Sequence, residues 1–296
     1  MEGPATMPAL LTPFDRAGRL DVSRYPDYLG WLEAAGVDGH FAFGTTGEGI
    51  TLSVDERRHG LEAIIRASGV PVYVQVASLN LSDTQTLMAH AADAGAAGAA
   101  IVSPSYYTHD ADALVAYYVE LAREAPLPLL WYNIPTHAPS DLTPAVAERL
   151  LAETDAYVGI KDSSRDATRL SLYRDLGLRT YTGAESLVLY ATAIGAGSIT
   201  GLASAFPELV VAATRDALTP AGAPRQRQVI QTRERLKGPY IQCLREAARL
   251  SGMDLGPPRA PFRPLTAGEQ ADVAHAVQLG GRADQRTSPP GHAGRP

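Results

Sequence analysis

From Thr6 to about Leu218, short apolar runs rich in β-branched residues alternate with longer amphipathic stretches. The runs fall at residues 7–12, 39–43, 72–77, 99–103, 129–132, 158–161, 180–182 and 198–202. Apolar runs of this length, bounded by turn residues, read as buried strands. Between them helix starts are announced by Ser53-x-x-Glu56 as a capping box, by Ser82 and Asp83 before a helical run, by Thr143-Pro144 as N-cap and first helical residue, and by Phe206-Pro207-Glu208. Eight strands alternating with eight helices predict an α/β chain, and they favour a closed (β/α)8 TIM barrel over residues 1–220. An open doubly wound sheet is the competing arrangement, because periodicity does not show closure.

The repeats end near Pro220-Ala221-Gly222. Beyond them residues 225–250 read as one or two helices and 266–278 as another, which makes 221–280 a C-terminal helical appendage packed on the barrel. Residues 281–296 carry Gly, Pro, Ser and Arg without apolar periodicity and are expected to be a disordered tail.

Composition narrows the function classes. The 296 residues are 45% apolar with a net charge of −6, the balance of an ordinary globular protein. An acidic chain has no electrostatic reason to approach nucleic acid, and the basic stretch 225–235 alternates with polar residues as a solvated helix face would. Cys243 is the single cysteine, so an intramolecular disulfide and a Cys-rich metal site are excluded. The first residues show no basic or apolar targeting pattern, and no apolar run of about 18 residues occurs, so a cytoplasmic protein without a membrane anchor is expected.

Of 26 Lys and Arg residues only Lys161 and Lys237 are lysines, and Lys161 sits inside the apolar run Tyr157-Val158-Gly159-Ile160-Lys161-Asp162-Ser163. A guanidinium stays protonated to about pH 12 or beyond, whereas a buried amine loses its proton and attacks a carbonyl. Lys161 is therefore a candidate Schiff-base nucleophile. The competing reading is a core lysine paired with a carboxylate such as Asp162.

The other unusual residues also fall at the carboxyl ends of strands, where barrel active sites lie. They are Gly44-Thr45-Thr46-Gly47-Glu48-Gly49, Pro104-Ser105-Tyr106-Tyr107, Tyr132-Asn133-Ile134-Pro135, Lys161, Gly183-Ala184-Glu185 and Ala203-Ser204. The GTTG turn frees backbone N–H groups that could wrap a small carboxylate, although such turns also exist for tight geometry alone. It lacks the spacing of a Walker loop or a dinucleotide fingerprint. Tyr132 ends an apolar strand and is either a packing residue or, beside an amine nucleophile, a proton shuttle.

Taken together, GTTGE, the SYY pair, YNIP, GIKDS and GAGSI-x-G-x-AS resemble the dihydrodipicolinate synthase and N-acetylneuraminate lyase family of pyruvate-dependent class I aldolases. The resemblance extends to Gly256-Pro257-Pro258-Arg259-Ala260-Pro261-Phe262-Arg263-Pro264-Leu265. It implies a Schiff base between Lys161 and pyruvate or a related 2-keto acid, with no metal and no other cofactor. It implies Tyr132 as proton shuttle, Thr46 as its hydroxyl relay and Tyr107 reaching in from a neighbouring subunit. Thr45 and Thr46 match positions that hold the pyruvate carboxylate, Ile199 one whose carbonyl faces the lysine, and Gly183 and Glu185 a loop that contacts the hydroxyls of the second substrate. Ser163 and His137 complete the substrate-binding set. The family also implies a homotetramer built from tight dimers.

Two departures bear on substrate. Dihydrodipicolinate synthases carry an arginine two residues after the proline of Tyr-Asn-x-Pro, and here that position is His137, which offers no guanidinium fork to a second carboxylate. The SYY stretch has one residue more than the usual Pro-Tyr-Tyr, so Tyr106 or Tyr107 completes the relay. The stretch Val74-Gln75-Val76-Ala77-Ser78-Leu79-Asn80 and the PPRAPFRPL segment look like aldolases of 2-keto-3-deoxy sugar acids such as 2-keto-3-deoxygluconate. A pocket of hydroxyls and amides without a fixed arginine is expected, suited to a neutral polyol aldehyde. The alternatives are dihydrodipicolinate synthase, a 2-keto acid dehydratase using the same iminium, and a catalytically silent barrel that senses a keto acid.

Overall fold

A computed structural model describes residues 5–281. Its strands are β1 (Thr6–Pro8), β2 (His40–Ala42), β3 (Val72–Gln75), β4 (Gly98–Val102), β5 (Leu129–Asn133), β6 (Tyr157–Asp162), β7 (Arg179–Thr182) and β8 (Gly197–Thr200). All pairs are parallel, in the order β1-β8-β7-β6-β5-β4-β3-β2. Ala9 bridges to Phe41, and the Leu10 N–H donates to the Phe41 carbonyl at 2.9 Å, which brings the two ends of the sheet together. An unbroken sequential order that returns to its start is a barrel, and the doubly wound alternative is excluded.

Helices fill the crossovers: α1 (Tyr25–Ala34), α2 (Val54–Ala67), α3 (Leu81–Ala94), α4 (Ala111–Ala122), α5 (Pro144–Glu153), α6 (Ala167–Asp175), α7 (Val188–Ala193) and α8 (Pro207–Arg215). The Ser53 and Glu56 capping box forms at α2, and Thr143 caps α5 with Pro144 in its first turn. At α3 the cap is Asn80, whose side chain accepts from the Asp83 N–H at 2.7 Å, so Ser82 and Asp83 lie within the first turn rather than ahead of it. Among the described residues no helix is long and apolar enough to cross a membrane.

Alternation along each strand separates two cores. In β5, Leu129 and Trp131 join the outer shell shared with the helices, whereas Leu130 and Tyr132 join Met7, Phe41, Tyr73 and Tyr181 inside the barrel. Because both faces are apolar, the sequence shows one continuous run. Each large side chain fully buried there contributes about 1.5–3 kcal/mol. The apolar run at 7–12 outlasts β1 for the same reason: Leu10, Leu11 and Phe14 leave the ladder to pack in the outer core.

Beyond the barrel lie α9 (Gly222–Arg235), α10 (Tyr240–Leu250) and α11 (Ala267–Gly280). Gly238, at φ +147°, and Pro239 separate α9 from α10. A buried ion pair ties α10 to the barrel, with Arg245 Nη2 donating to Glu48 Oε1 at 2.8 Å and to the Thr12 carbonyl at 3.0 Å. Of the expected tail, residues 282–296 lie outside the described residues.

Candidate active site

Lys161 enters the barrel mouth from β6, with ladder partners Tyr132 on one side and Tyr181 on the other. It is 4% exposed, and its Nζ lies 4.1 Å from the centroid of the Tyr132 ring and 4.3 Å from that of Phe41. Burial holds the amine below the ordinary lysine pKa of 10.5, against the opposing pull of Tyr132 and Glu185. Successive strand residues face opposite ways, so Asp162 turns from the mouth and accepts instead from Asn133 Nδ2 at 2.8 Å and Ser164 Oγ at 2.5 Å. Among the described residues no carboxylate forms a salt bridge with Lys161, and the pairing with Asp162 is set aside.

The turn after β2 passes over this amine. A Cβ on Gly44 would sit 2.8 Å from the Phe41 ring and 3.9 Å from Lys161 Nζ, so glycine there keeps the approach open. Phe43 and Glu48 adopt left-handed φ of 55° and 56°, and the Gly49 N–H closes back on the Gly44 carbonyl at 3.2 Å. This fold-back sends the two threonines in different directions. Thr45 Oγ1 lies 3.0 Å from the Tyr132 hydroxyl. Thr46, expected as the relay, instead directs its hydroxyl toward Gly201. Neither threonine's backbone N–H donates to a protein acceptor among the described residues, which leaves both for a ligand.

A cavity of about 370 Å³ opens above the amine. It brings together Lys161, Tyr132, Thr45, Thr46, Ile199, Gly183, Glu185, Ser163 and His137, all expected from sequence. Tyr107 is not among them. It is 68% exposed, stacks edge-on against Tyr106 at 4.8 Å between centroids, and does not reach the Tyr132 phenol within one chain. The loop that carries it leaves the barrel, with Tyr106 in a left-handed conformation at φ +77°.

Other lining residues escaped the sequence reading. Tyr240, at the start of α10, donates its hydroxyl to Glu185 Oε1 at 2.7 Å, so the appendage fixes a mouth carboxylate. Phe262 and Arg233 also come from beyond the barrel, and Arg165 comes from the loop after β6. The expectation of a pocket without a fixed arginine is corrected. So is the picture of 225–235 as a wholly solvated face, because Arg233 is half-buried with its guanidinium 3.8 Å from the centroid of the Tyr240 ring. Arg165 was legible in principle, since it lies only four residues beyond the candidate lysine.

The barrel and its mouth define a lyase of the pyruvate aldolase class. Residues 4–279 match the dihydrodipicolinate synthetase family, and the chain belongs to it. An uncharacterized DapA-like lyase of Halobacterium salinarum is 34% identical over 284 residues, covering 93% of both chains. A 4-hydroxy-tetrahydrodipicolinate synthase of Thermus thermophilus is 36% identical over 220 residues, 72% of this chain and 73% of that one. Among solved structures, a variant of the Sulfolobus solfataricus 2-keto-3-deoxygluconate aldolase superposes with a TM-score of 0.87 at 26% identity, covering 95% of this chain and 97% of the other.

Proposed function

We propose that this chain makes or breaks the C–C bond between pyruvate and an aldehyde, with a 2-keto-3-deoxy sugar acid such as 2-keto-3-deoxygluconate as the joined compound. The observation that carries the reading is a buried amine held against a tyrosine at the floor of an open cavity, where burial outweighs the pull of Tyr132 and Glu185 toward the charged form. In cleavage, Lys161 Nζ attacks C2 of the keto acid and water leaves, forming the iminium. The bond between C3 and C4 breaks as the C4 hydroxyl gives up its proton, and the electron pair passes into the iminium to leave an enamine. Tyr132, hydrogen-bonded to Thr45, takes that proton and returns one to C3, and hydrolysis releases pyruvate. The Thr45 and Thr46 N–H groups suit the C1 carboxylate, and Glu185 with Gly183 lies where hydroxyls of the second fragment would pass.

A second reading, condensation of pyruvate with aspartate semialdehyde, draws support from Arg165 and Arg233 at the rim, which supply the cations that His137 does not. Borohydride reduction in the presence of pyruvate tests the step both readings share. A stable adduct on the Lys161 peptide is expected, and its rate should rise with pH through a midpoint below 10.5, because burial lowers the pKa and the free base is the nucleophile. An adduct on Lys237, or none, would end both readings.

A further inference from the structure

A second cavity, of about 310 Å³, lies between α10, the start of α11, the segment 254–258 and the chain between β1 and α1. None of Lys161, Tyr132, Thr45 and Thr46 lines it. Arg16, Arg24, Arg245 and Arg249 do, together with the carboxylates of Glu246 and Asp254. Arg24 is occupied by Asp21 at 2.7 Å, Arg245 by Glu48 at 2.8 Å and Arg249 by Glu246 at 2.8 Å. Asp254 accepts from the Gly256 N–H at 2.9 Å and also faces Arg24. Arg16 is exposed and makes no ion pair or side-chain hydrogen bond among the described residues, which leaves a free guanidinium at the wall.

Buried polar atoms of the same wall also lack partners. Gln242 is 3% exposed, and neither its carbonyl oxygen nor its amide nitrogen is hydrogen-bonded. Arg245 is 4% exposed, and its Nε is unpaired although both Nη atoms donate. Each such group costs about 1–3 kcal/mol when it stays unsatisfied. A ligand that satisfies them needs anionic oxygens for Arg16, Arg245 Nε and the Gln242 amide, and one O–H for the Gln242 carbonyl. The cavity also communicates with the mouth. Gln242 lines both, and Arg245 holds Glu48 in the turn that carries Thr45 and Thr46. An anion on Arg245 Nε would share the cation that keeps buried Glu48 charged, and so loosen that turn.

We propose that this cavity is an effector site for a small oxyanion carrying an O–H, either hydrogen phosphate or a 2-hydroxy acid, and that its occupation weakens binding of the keto acid at Lys161. The coupling rests on the lyase reading above, whereas the binding does not.

The test titrates the full-length chain, Arg16→Gln and Gln242→Met by calorimetry with two probes, inorganic phosphate and lactate. Each is paired with a counterpart lacking the O–H, sulfate and propionate. Thermal unfolding checks that both variants fold. One probe should bind more tightly than its counterpart, and which one does so distinguishes phosphate from hydroxy acid. Arg16→Gln should weaken that binding about 10-fold or more, as for losing a charged hydrogen bond, and Gln242→Met about 3-fold or more. No binding, counterparts that bind as tightly, or binding unchanged in both variants would overturn the site. Saturation with the tighter probe should raise the pyruvate concentration for half-maximal borohydride trapping about 5-fold or more. Arg16 touches nothing in the mouth, so Arg16→Gln should trap normally without the anion and lose the response to it. Binding that leaves trapping unchanged would refute the coupling. A chain that traps no pyruvate at Lys161 ends the lyase reading, while calorimetry still decides the site.

Discussion

Lys161 and Arg165 stand four residues apart, yet they belong to different kinds of structure. Lys161 is 4% exposed on a strand laddered on both sides, and aromatic rings pack against it. Arg165 is exposed, sits on a loop in a left-handed conformation and has no partner among the described residues. The floor of the mouth is thus fixed by the barrel, and the rim is assembled from the loops after β5, β6 and β7 and from the appendage. A rigid floor suits a step common to many substrates, because a nucleophile and proton shuttle must be held to a fraction of an ångström. A rim of long side chains changes with little disturbance to the fold, which suits the part of a site that varies with the second substrate. The Arg165 backbone agrees with that division, since a non-glycine residue in this region carries strain of roughly 1–2 kcal/mol.

The largest expected effect probes the floor. Tyr132→Phe keeps the ring against Lys161 and removes only the hydroxyl, and kcat for pyruvate release should fall about 10²- to 10⁴-fold, the range for losing a general acid–base. Equal activity would mean that the phenol is packing alone and that the floor does no proton transfer.

Next in size is the support behind the turn. Arg245→Met leaves Glu48 buried without its cation, and stability should fall by about 3–5 kcal/mol as measured by denaturant unfolding. Burial already pushes the Glu48 carboxyl above its usual pKa against the pull of Arg245. A loss below about 1 kcal/mol would show that the turn does not need the appendage, and the contrast between barrel-built floor and appendage-built rim would then be sharper.

The smallest effect separates neighbouring threonines. Thr45→Val should lower kcat about 3- to 10-fold by removing a neutral hydrogen bond to the phenol. Thr46→Val leaves that bond intact and should act on KM for the keto acid. The reverse ranking would place the relay on Thr46 and refute the geometry of the turn.

The floor was largely legible because its residues are of rare types in fixed places. One of two lysines interrupts an apolar strand, and a tyrosine closes the strand before it. What misled was direction: GTTG shows two adjacent hydroxyls, and which one meets the phenol depends on left-handed Phe43 and Glu48. The rim was hardly legible. Arg233 belongs to a polar, arginine-rich helix whose pattern resembles a solvated face, and nothing local signals that one guanidinium turns onto Tyr240. Tyr107 illustrates the opposite case, a residue whose motif implies a site that a single chain does not bring it to.

By itself the sequence determined the alternating strand and helix architecture, the family and the lysine that interrupts an apolar strand, because hydrophobic period and residue type are local properties. Closure of the barrel, the choice between adjacent threonines and the arginines over the cavity were decided only by tertiary structure. Each depends on the meeting of segments far apart in the chain, where packing sets which way a side chain faces.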